Sequence, residues 1–243
     1  MKYLLALVIC IALLSCNDKK DANTNTEIIK TQPDAPKSAE NLINWKEKWT
    51  VGQGSADGFK SFGNENESRR IKGLDIDSKE AILWECVADT STSWDGGFLS
   101  KVEEIDSTMP YMFVAWVKKT NGNSARVYYA FDSVNEVTGE PVKNANFIGA
   151  GSKLTNLESW YTLVGYIYPS DHQDNIEAKI YSGLYFNGEK VQEGRDFKWE
   201  KGATSSNIRI VQVESQTDGE NLLIWNPQLY KVDGTEPKLY NLL

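Results

Sequence analysis

The sequence predicts an all-β protein built as a two-layer antiparallel β-sandwich. Three observations support this prediction. Apolar residues alternate with polar ones at a period of two, turn-forming residues separate the alternating stretches, and no window carries an apolar stripe at helical spacing over three turns. Strands joined by short turns, with no helices between them, pair with one another and bury one core between two sheets.

A short apolar run opens the chain and stops at Cys16. The run follows Lys2, ends at Leu14 and gives way at once to polar residues, so it is far shorter than the roughly 20 residues of a membrane span. The ending Leu13-Leu-Ser-Cys16 resembles the lipobox of bacterial lipoprotein precursors, in which the cysteine is diacylated and becomes the new N-terminus. We therefore expect residues 1–15 to be a signal peptide and Cys16 to anchor the chain to a membrane.

Residues 16–44 are polar, rich in threonine and proline and free of aromatic residues, which is linker composition. All eight tryptophans follow, from Trp45 to Trp225. We expect a lipidated cysteine and a disordered tether over 16–44, and one sandwich domain over 45–243. Asn17, rather than an aspartate, follows the cysteine and fits an outer-membrane destination under the bacterial sorting rule.

Charge and cysteine content narrow the classes of partner. The formal net charge is −8, and the longest basic clusters are Arg69-Arg70 and Lys118-Lys119, so the basic stripe of a nucleic-acid-binding domain is missing. After processing, Cys86 is the only thiol, so no intrachain disulfide is expected and the fold depends on its core. Cys86 itself is predicted to be a buried, inert side chain.

Seven strands are predicted, and each is bounded by residues that form turns. They cover residues 81–87, 111–118, 126–132, 160–168, 177–185, 207–214 and 222–232. Pairs such as Asn187-Gly188 and Asp218-Gly219 tolerate the positive φ that tight hairpins require. The segment Trp94-Asp-Gly-Gly-Phe98 is predicted to be a loop of the same kind.

Several stretches are similar to jelly-roll carbohydrate-binding modules and to related sandwich domains of bacterial and phage surface proteins. The stretches are Ile82-Leu-Trp-Glu85, Trp94-Asp-Gly-Gly-Phe98, Tyr111-Met-Phe-Val-Ala-Trp-Val-Lys-Lys-Thr120, Trp160-Tyr-Thr-Leu-Val-Gly-Tyr166 and Trp225-Asn-Pro-Gln-Leu-Tyr-Lys231. The resemblance implies a jelly-roll sandwich, concanavalin-like or galactose-binding-like, and a polysaccharide or glycan as partner. It concerns the fold more than the ligand, so the function has to be argued from a site.

A glycan site needs flat aromatic rings next to polar groups, because sugars present apolar C–H faces and hydroxyl edges. Trp94 beside Asp95 is predicted to be a stacking platform, with a role as a buried core residue as the alternative. In the strand over 126–132, one register carries Arg126, Tyr128 and Asp132, which are expected to face water or a ligand. Arg209, on another predicted strand, is the sixth candidate.

Enzymatic motifs are missing from the sequence. No HExxH, CxxC or GxSxG occurs, and His172, the only histidine, is expected to be exposed and idle. A polysaccharide lyase acting on acidic polysaccharide, with Tyr128 as base and Arg126 against the uronate, is one alternative to non-catalytic glycan binding. A structural or adhesion protein of the envelope is another. No cofactor is predicted, although Asp75 and Asp77 either hold a structural calcium ion or cap a turn.

Overall fold

The computed structural model describes residues 39–243 except for positions 90, 92, 143, 144, 149, 150 and 174–179. The predicted signal peptide, Cys16 and the tether up to residue 38 lie outside the described residues. So does the beginning of the strand predicted over 177–185.

The described part of the chain is built from strands and contains no α-helix. Its fourteen strands are β1 Gly52–Gln53, β2 Phe59–Ser61, β3 Ser68–Leu74, β4 Glu80–Val87, β5 Trp94–Glu103, β6 Tyr111–Asn121, β7 Arg126–Phe131, β8 Val134–Glu136, β9 Tyr161–Tyr168, β10 Gly183–Phe186, β11 Glu189–Glu193, β12 Phe197–Trp199, β13 Ser205–Val213 and β14 Asn221–Lys231. Two single 3₁₀ turns occur, at Glu65–Glu67 and Leu239–Asn241. Among these residues no helix is long and apolar enough to cross a membrane.

The strands form two sheets. The large sheet has the order β1-β3-β4-β14-β6-β9-β10-β11, with β12 pairing β8 and β9, and the small sheet has the order β2-β5-β13-β7. All pairings are antiparallel except that of β12 with β9. The late strands β13 and β14 are inserted between strands formed much earlier in the chain. The predicted two-layer antiparallel sandwich is confirmed.

Six predicted strands correspond closely to β4, β6, β7, β9, β13 and β14. The strand predicted over 177–185 matches β10 only at residues 183–185, because residues 180–182 are not in a strand. The loop predicted over residues 94–98 is instead the first half of β5. The loop prediction is wrong because Gly96 and Gly97 lie within β5, which pairs with β13, and do not form a turn. Both have positive φ, at a bulge opposite Val211–Val213 in β13. A Cβ atom at Gly96 would overlap the backbone oxygen of Glu67, and one at Gly97 would overlap that of Ile210. Glycine is required there by the close approach of two backbones.

The core lies between the two sheets. Phe113 and Trp84 of the large sheet meet Tyr129, Phe131 and other side chains of the small sheet, and all four are fully buried. Removing such rings from water contributes about 25 cal/mol per Å² of apolar surface. Cys86 is also fully buried, as predicted, and burial raises the pKa of its thiol, which keeps the sulfur unreactive.

Contacts with the sandwich begin before residue 45. The Asn41 side-chain oxygen accepts the backbone N–H of Leu229 at 2.9 Å, and Ile43 is buried in the core. The indole N–H of Trp45 then donates to the side-chain oxygen of Asn226 at 3.2 Å. The last residues of the predicted tether therefore pack along β14.

Candidate functional site

Five of the six predicted ligand-binding residues lie on the outer face of the small sheet. Cross-strand register places Trp94 and Arg126 in one row over β5, β13 and β7, with Tyr128 in the next row. Arg209 lies on the same face and donates to the carboxylate of Asp132 at 3.0 Å. The sequence therefore identified residues that share a surface.

The outer face of the small sheet carries two ion pairs and the exposed indole of Trp94. Arg126 pairs with Glu214 at 3.5 Å, and Arg209 with Asp132. Trp94 is 42% exposed and contacts the ring of Phe62 edge-on, with centroids 4.9 Å apart. The alternative that Trp94 is a core residue is wrong, because the bulge at Gly96-Gly97 leaves the ring at the edge of the sheet.

Asp95 requires a correction. Its side chain is fully buried, and its carboxylate accepts the backbone N–H of Ser215 at 2.7 Å. Burial raises the pKa of Asp95. The carboxylate ties β5 to the residues after β13 and cannot reach a ligand on the outer face.

Local contacts describe two further residues that the sequence singled out, Asp75 and His172. The Asp75 carboxylate accepts the backbone N–H groups of Asp77 and Lys79, both at 2.9 Å, which is turn capping. Among the described residues no three carboxylate, histidine or cysteine side chains are grouped to hold a metal ion. His172 is not the exposed side chain expected, because its ring stacks on Tyr168 with centroids 3.9 Å apart.

The outer face of the large sheet carries an aromatic surface that the sequence analysis missed. In β6, Phe113 and its alternate neighbours point into the core, whereas Met112, Val114 and Trp116 point outward and form a second apolar cluster. Trp225 of β14 lies directly opposite Trp116, so the row of aromatic side chains continues across the sheet.

Three tryptophans form what we call the tryptophan platform: Trp116, Trp160 and Trp225. The ring of Trp225 lies 5.2 Å from that of Trp116 and 6.4 Å from that of Trp160, at tilts of 54° and 55°. Trp116 is 5% exposed and forms the floor, while the other two are half-buried and present ring surface to solvent. No side chain or backbone atom of the described residues accepts a hydrogen bond from the indole N–H of Trp116.

A cavity of about 510 Å³ lies on the same face. Its sheet side is lined by Met112, Tyr166, Tyr181 and Tyr185, and its other side by residues 232–243, which we call the C-terminal segment. Leucines of that segment pack on the same apolar cluster as Trp116. The volume is typical of sites for small ligands. Burial raises the pKa of Tyr166 to about 12, so its hydroxyl remains a hydrogen-bond donor at neutral pH.

The sequence contains a signal for this surface. Trp116, Trp160 and Trp225 all lie in the stretches that resemble carbohydrate-binding modules, and Trp116 occupies the outward register of its strand. The sequence alone does not indicate that β14 pairs with β6. This pairing brings together residues more than a hundred positions apart.

Comparison with protein-family models finds no match, and comparison with curated proteins finds none either. Solved carbohydrate-binding modules resemble this chain. The module TmCBM61 in complex with β-1,4-galactotriose has a TM-score of 0.41 and 8% identity, over 79% of this chain and 99% of that chain. The CBM22-1 xylan-binding domain of Paenibacillus barcinonensis Xyn10C has a TM-score of 0.40 and 12% identity, over 82% and 98%.

An enzyme is also similar over part of its length. Arabinose-bound MgGH51 α-L-arabinofuranosidase has a TM-score of 0.43 and 11% identity over 79% of this chain, which spans only 26% of that chain. At these identities the likeness concerns the fold, and nothing about a ligand follows from it.

Proposed function

We propose that this chain is a non-catalytic glycan-binding protein whose ligand lies across the tryptophan platform and the neighbouring tyrosine-lined cavity. The observation that carries the proposal is the contact among Trp116, Trp160 and Trp225 on the outer face of a sheet. Two of these rings are half-exposed, and rings held by their neighbours lose little entropy when a flat apolar face stacks on them. Sugar rings present such faces.

A polar group beside the rings would pair with the sugar hydroxyls. The hydroxyl of Tyr166 lines the neighbouring cavity and is a hydrogen-bond donor at neutral pH. A sugar hydroxyl that accepts from it would contribute to affinity.

Binding is favoured over the lyase alternative. A lyase base must give up its proton near neutral pH, whereas burial raises the pKa of Tyr166, Tyr168 and Tyr185. On the small sheet, the proposed partner of Tyr128, Arg126, already pairs with Glu214. A purely structural or adhesive envelope role remains the outcome to expect if no glycan binds.

The proposal is tested by glycan-array screening followed by calorimetry on two matched variants. Trp160→Ala removes a platform ring, and Trp94→Ala removes an exposed indole from the small sheet. We expect Trp160→Ala to weaken binding at least about tenfold, the usual effect of losing an aromatic anchor. Trp94→Ala should leave affinity unchanged.

Melting temperatures of both variants separate binding from folding. If only Trp94→Ala lowers the affinity, the glycan site lies on the small sheet and not on the tryptophan platform. Full affinity in Trp160→Ala and in a second variant, Trp225→Ala, would overturn the platform, and failure of every glycan to bind would overturn the function.

We also propose that the domain is displayed from the bacterial cell envelope, in the outer membrane, by lipid on Cys16. The lipobox-like ending and the polar stretch after it support this proposal. Cys16→Ser should abolish lipid labelling and release the protein in soluble form. Retention of that variant in the membrane fraction after a carbonate wash would contradict the anchor.

A further inference from the structure

We propose that the glycan is anionic, and that Lys118 recognises a uronate carboxylate or a sulfate ester at the edge of the tryptophan platform. The inference rests on the proposed glycan-binding function and names the class of sugar. Its basis is the unusual setting of one ammonium group.

Lys118 projects outward from β6 next to Trp116. Its ammonium lies 4.9 Å from the ring centroid of Trp160, over the face of a platform ring. The side chain is only 16% exposed, and the carboxylate of Glu158 is 3.9 Å away, beyond hydrogen-bonding distance. Within the described part of the chain, Lys118 donates no hydrogen bond, since neither its ion pair nor its ring contact supplies an acceptor within 3.5 Å.

This arrangement leaves an ammonium group without a protein acceptor in the described part of the chain. An ammonium group has three hydrogen-bond donors, so it can bind an anion at this position. The ring of Trp160 holds the ammonium beside the platform through a cation–π contact. An anionic group of a sugar stacked on the platform would lie next to Nζ and supply the missing acceptor by a charge-assisted hydrogen bond, which is about twice as strong as a neutral one.

The partner now nearest to Lys118 is easily displaced. The Glu158 side chain is 64% exposed and its distance to Nζ is long, and exposed pairs of this kind contribute about 0–1 kcal/mol. A ligand anion can therefore replace Glu158 with little loss. The net charge of −8 does not oppose this, because charges farther than about 8 Å away are largely screened at physiological salt.

The experiment compares charged glycans with the same backbones after removal of the charge. Polygalacturonate and alginate are measured beside their carboxyl-reduced forms, and carrageenan beside its desulfated form, by isothermal titration calorimetry on the mature domain. We expect at least a tenfold preference for one charged form over its neutral form, and the pair that shows it tells carboxylate from sulfate.

Two variants with matched controls test Lys118 itself. Lys118→Met should remove most of the preference for the charged form, and Glu158→Gln should raise affinity for it several-fold. Lys101→Met and Glu103→Gln alter an exposed pair on the small sheet, with 2.7 Å between its charged atoms, and should leave the preference unchanged. Equal effects in both sets would mean that only overall charge matters, and would overturn the inference.

The remaining outcomes distinguish this inference from the proposed function. If charged and neutral forms bind equally, or only neutral glycans bind, and Trp160→Ala abolishes that binding, the function stands and the anionic ligand is wrong. If no charged or neutral glycan binds, both the proposed function and the anionic ligand are wrong.

Discussion

Lys118 and Lys119 are consecutive residues of β6 whose ammonium groups lie on opposite faces of the large sheet. The first lies over the ring of Trp160 at the surface, and the second forms an ion pair with Glu220 in the interior, where both side chains are fully buried. Alternation along a strand explains the separation. Two identical residues therefore have unrelated roles, one at the proposed ligand site and one in the stability of the fold.

The buried pair predicts a large stability effect. Lys119 also donates to the backbone oxygen of Ala125, and Glu220 accepts from Ala125 N–H and from Ser124. Burial opposes the charge on Glu220, but the bonds from Lys119 and Ser124 outweigh it and hold the pKa of Glu220 below its usual value. Glu220→Gln should lower the free energy of unfolding by roughly 3–5 kcal/mol, because it leaves the buried ammonium of Lys119 without a negatively charged partner.

Urea denaturation measures that loss, with Glu103→Gln as the exposed counterpart. Glu103→Gln should cost less than about 1 kcal/mol. Similar losses in the two variants would show that the interior pair is not desolvated as the structure indicates.

Glu67 predicts an unusual dependence of stability on pH. Its side chain is fully buried, and desolvation raises its pKa to about 7 from an ordinary value near 4.5. The folded state thus favours the protonated acid, so this contribution is complete below about pH 4.5 and is lost as pH rises to about 7. At about 1.4 kcal/mol per pH unit, the loss is on the order of 3 kcal/mol.

The variant Glu67→Gln should remove this part of the pH dependence. The difference in unfolding free energy between the variant and the parent protein should shift in favour of the variant from pH 4.5 to pH 8. An unchanged difference across that range would mean that Glu67 is ionised in the fold.

The start of the domain predicts where the chain can be shortened. A chain beginning at residue 39 retains the bond from Leu229 to Asn41 and the burial of Ile43, and a chain beginning at residue 45 loses both. Burying an isoleucine contributes about 1.5–3 kcal/mol and a hydrogen bond about 1 kcal/mol. We expect the shorter chain to melt several degrees lower. Identical melting temperatures of the two chains would show that residues 39–44 do not stabilise the domain and belong to the tether.

Gly96 predicts a second stability effect, with Gly188 as its control. Both residues have positive φ, so alanine at either position costs roughly 1–2 kcal/mol. At Gly96 the added Cβ would overlap the backbone oxygen of Glu67. At Gly188 the added Cβ would point into open space. Gly96→Ala should therefore lower the melting temperature well beyond Gly188→Ala. Equal effects would show that backbone conformation alone requires glycine at position 96.

Among the predicted site residues, the sequence succeeded where strand register is local. Arg126, Tyr128 and Asp132 share a face because alternation is a property of the strand itself, and the structure places them together. The prediction failed at Asp95, because a bulge that depends on contacts with another strand turned its carboxylate inward.

The sequence by itself determined the all-β class, six of the strands and the burial of Cys86, because period-two patterning and turn residues act within a few positions of one another. Only the tertiary structure decided that β14 lies beside β6. That pairing brings Trp225 onto Trp116, and the position of Trp160 beside them completes the platform. The physical reason is that a strand can satisfy its hydrogen bonds beside any partner of suitable pattern. The choice among partners is made by packing over the whole core, which no local stretch of sequence encodes.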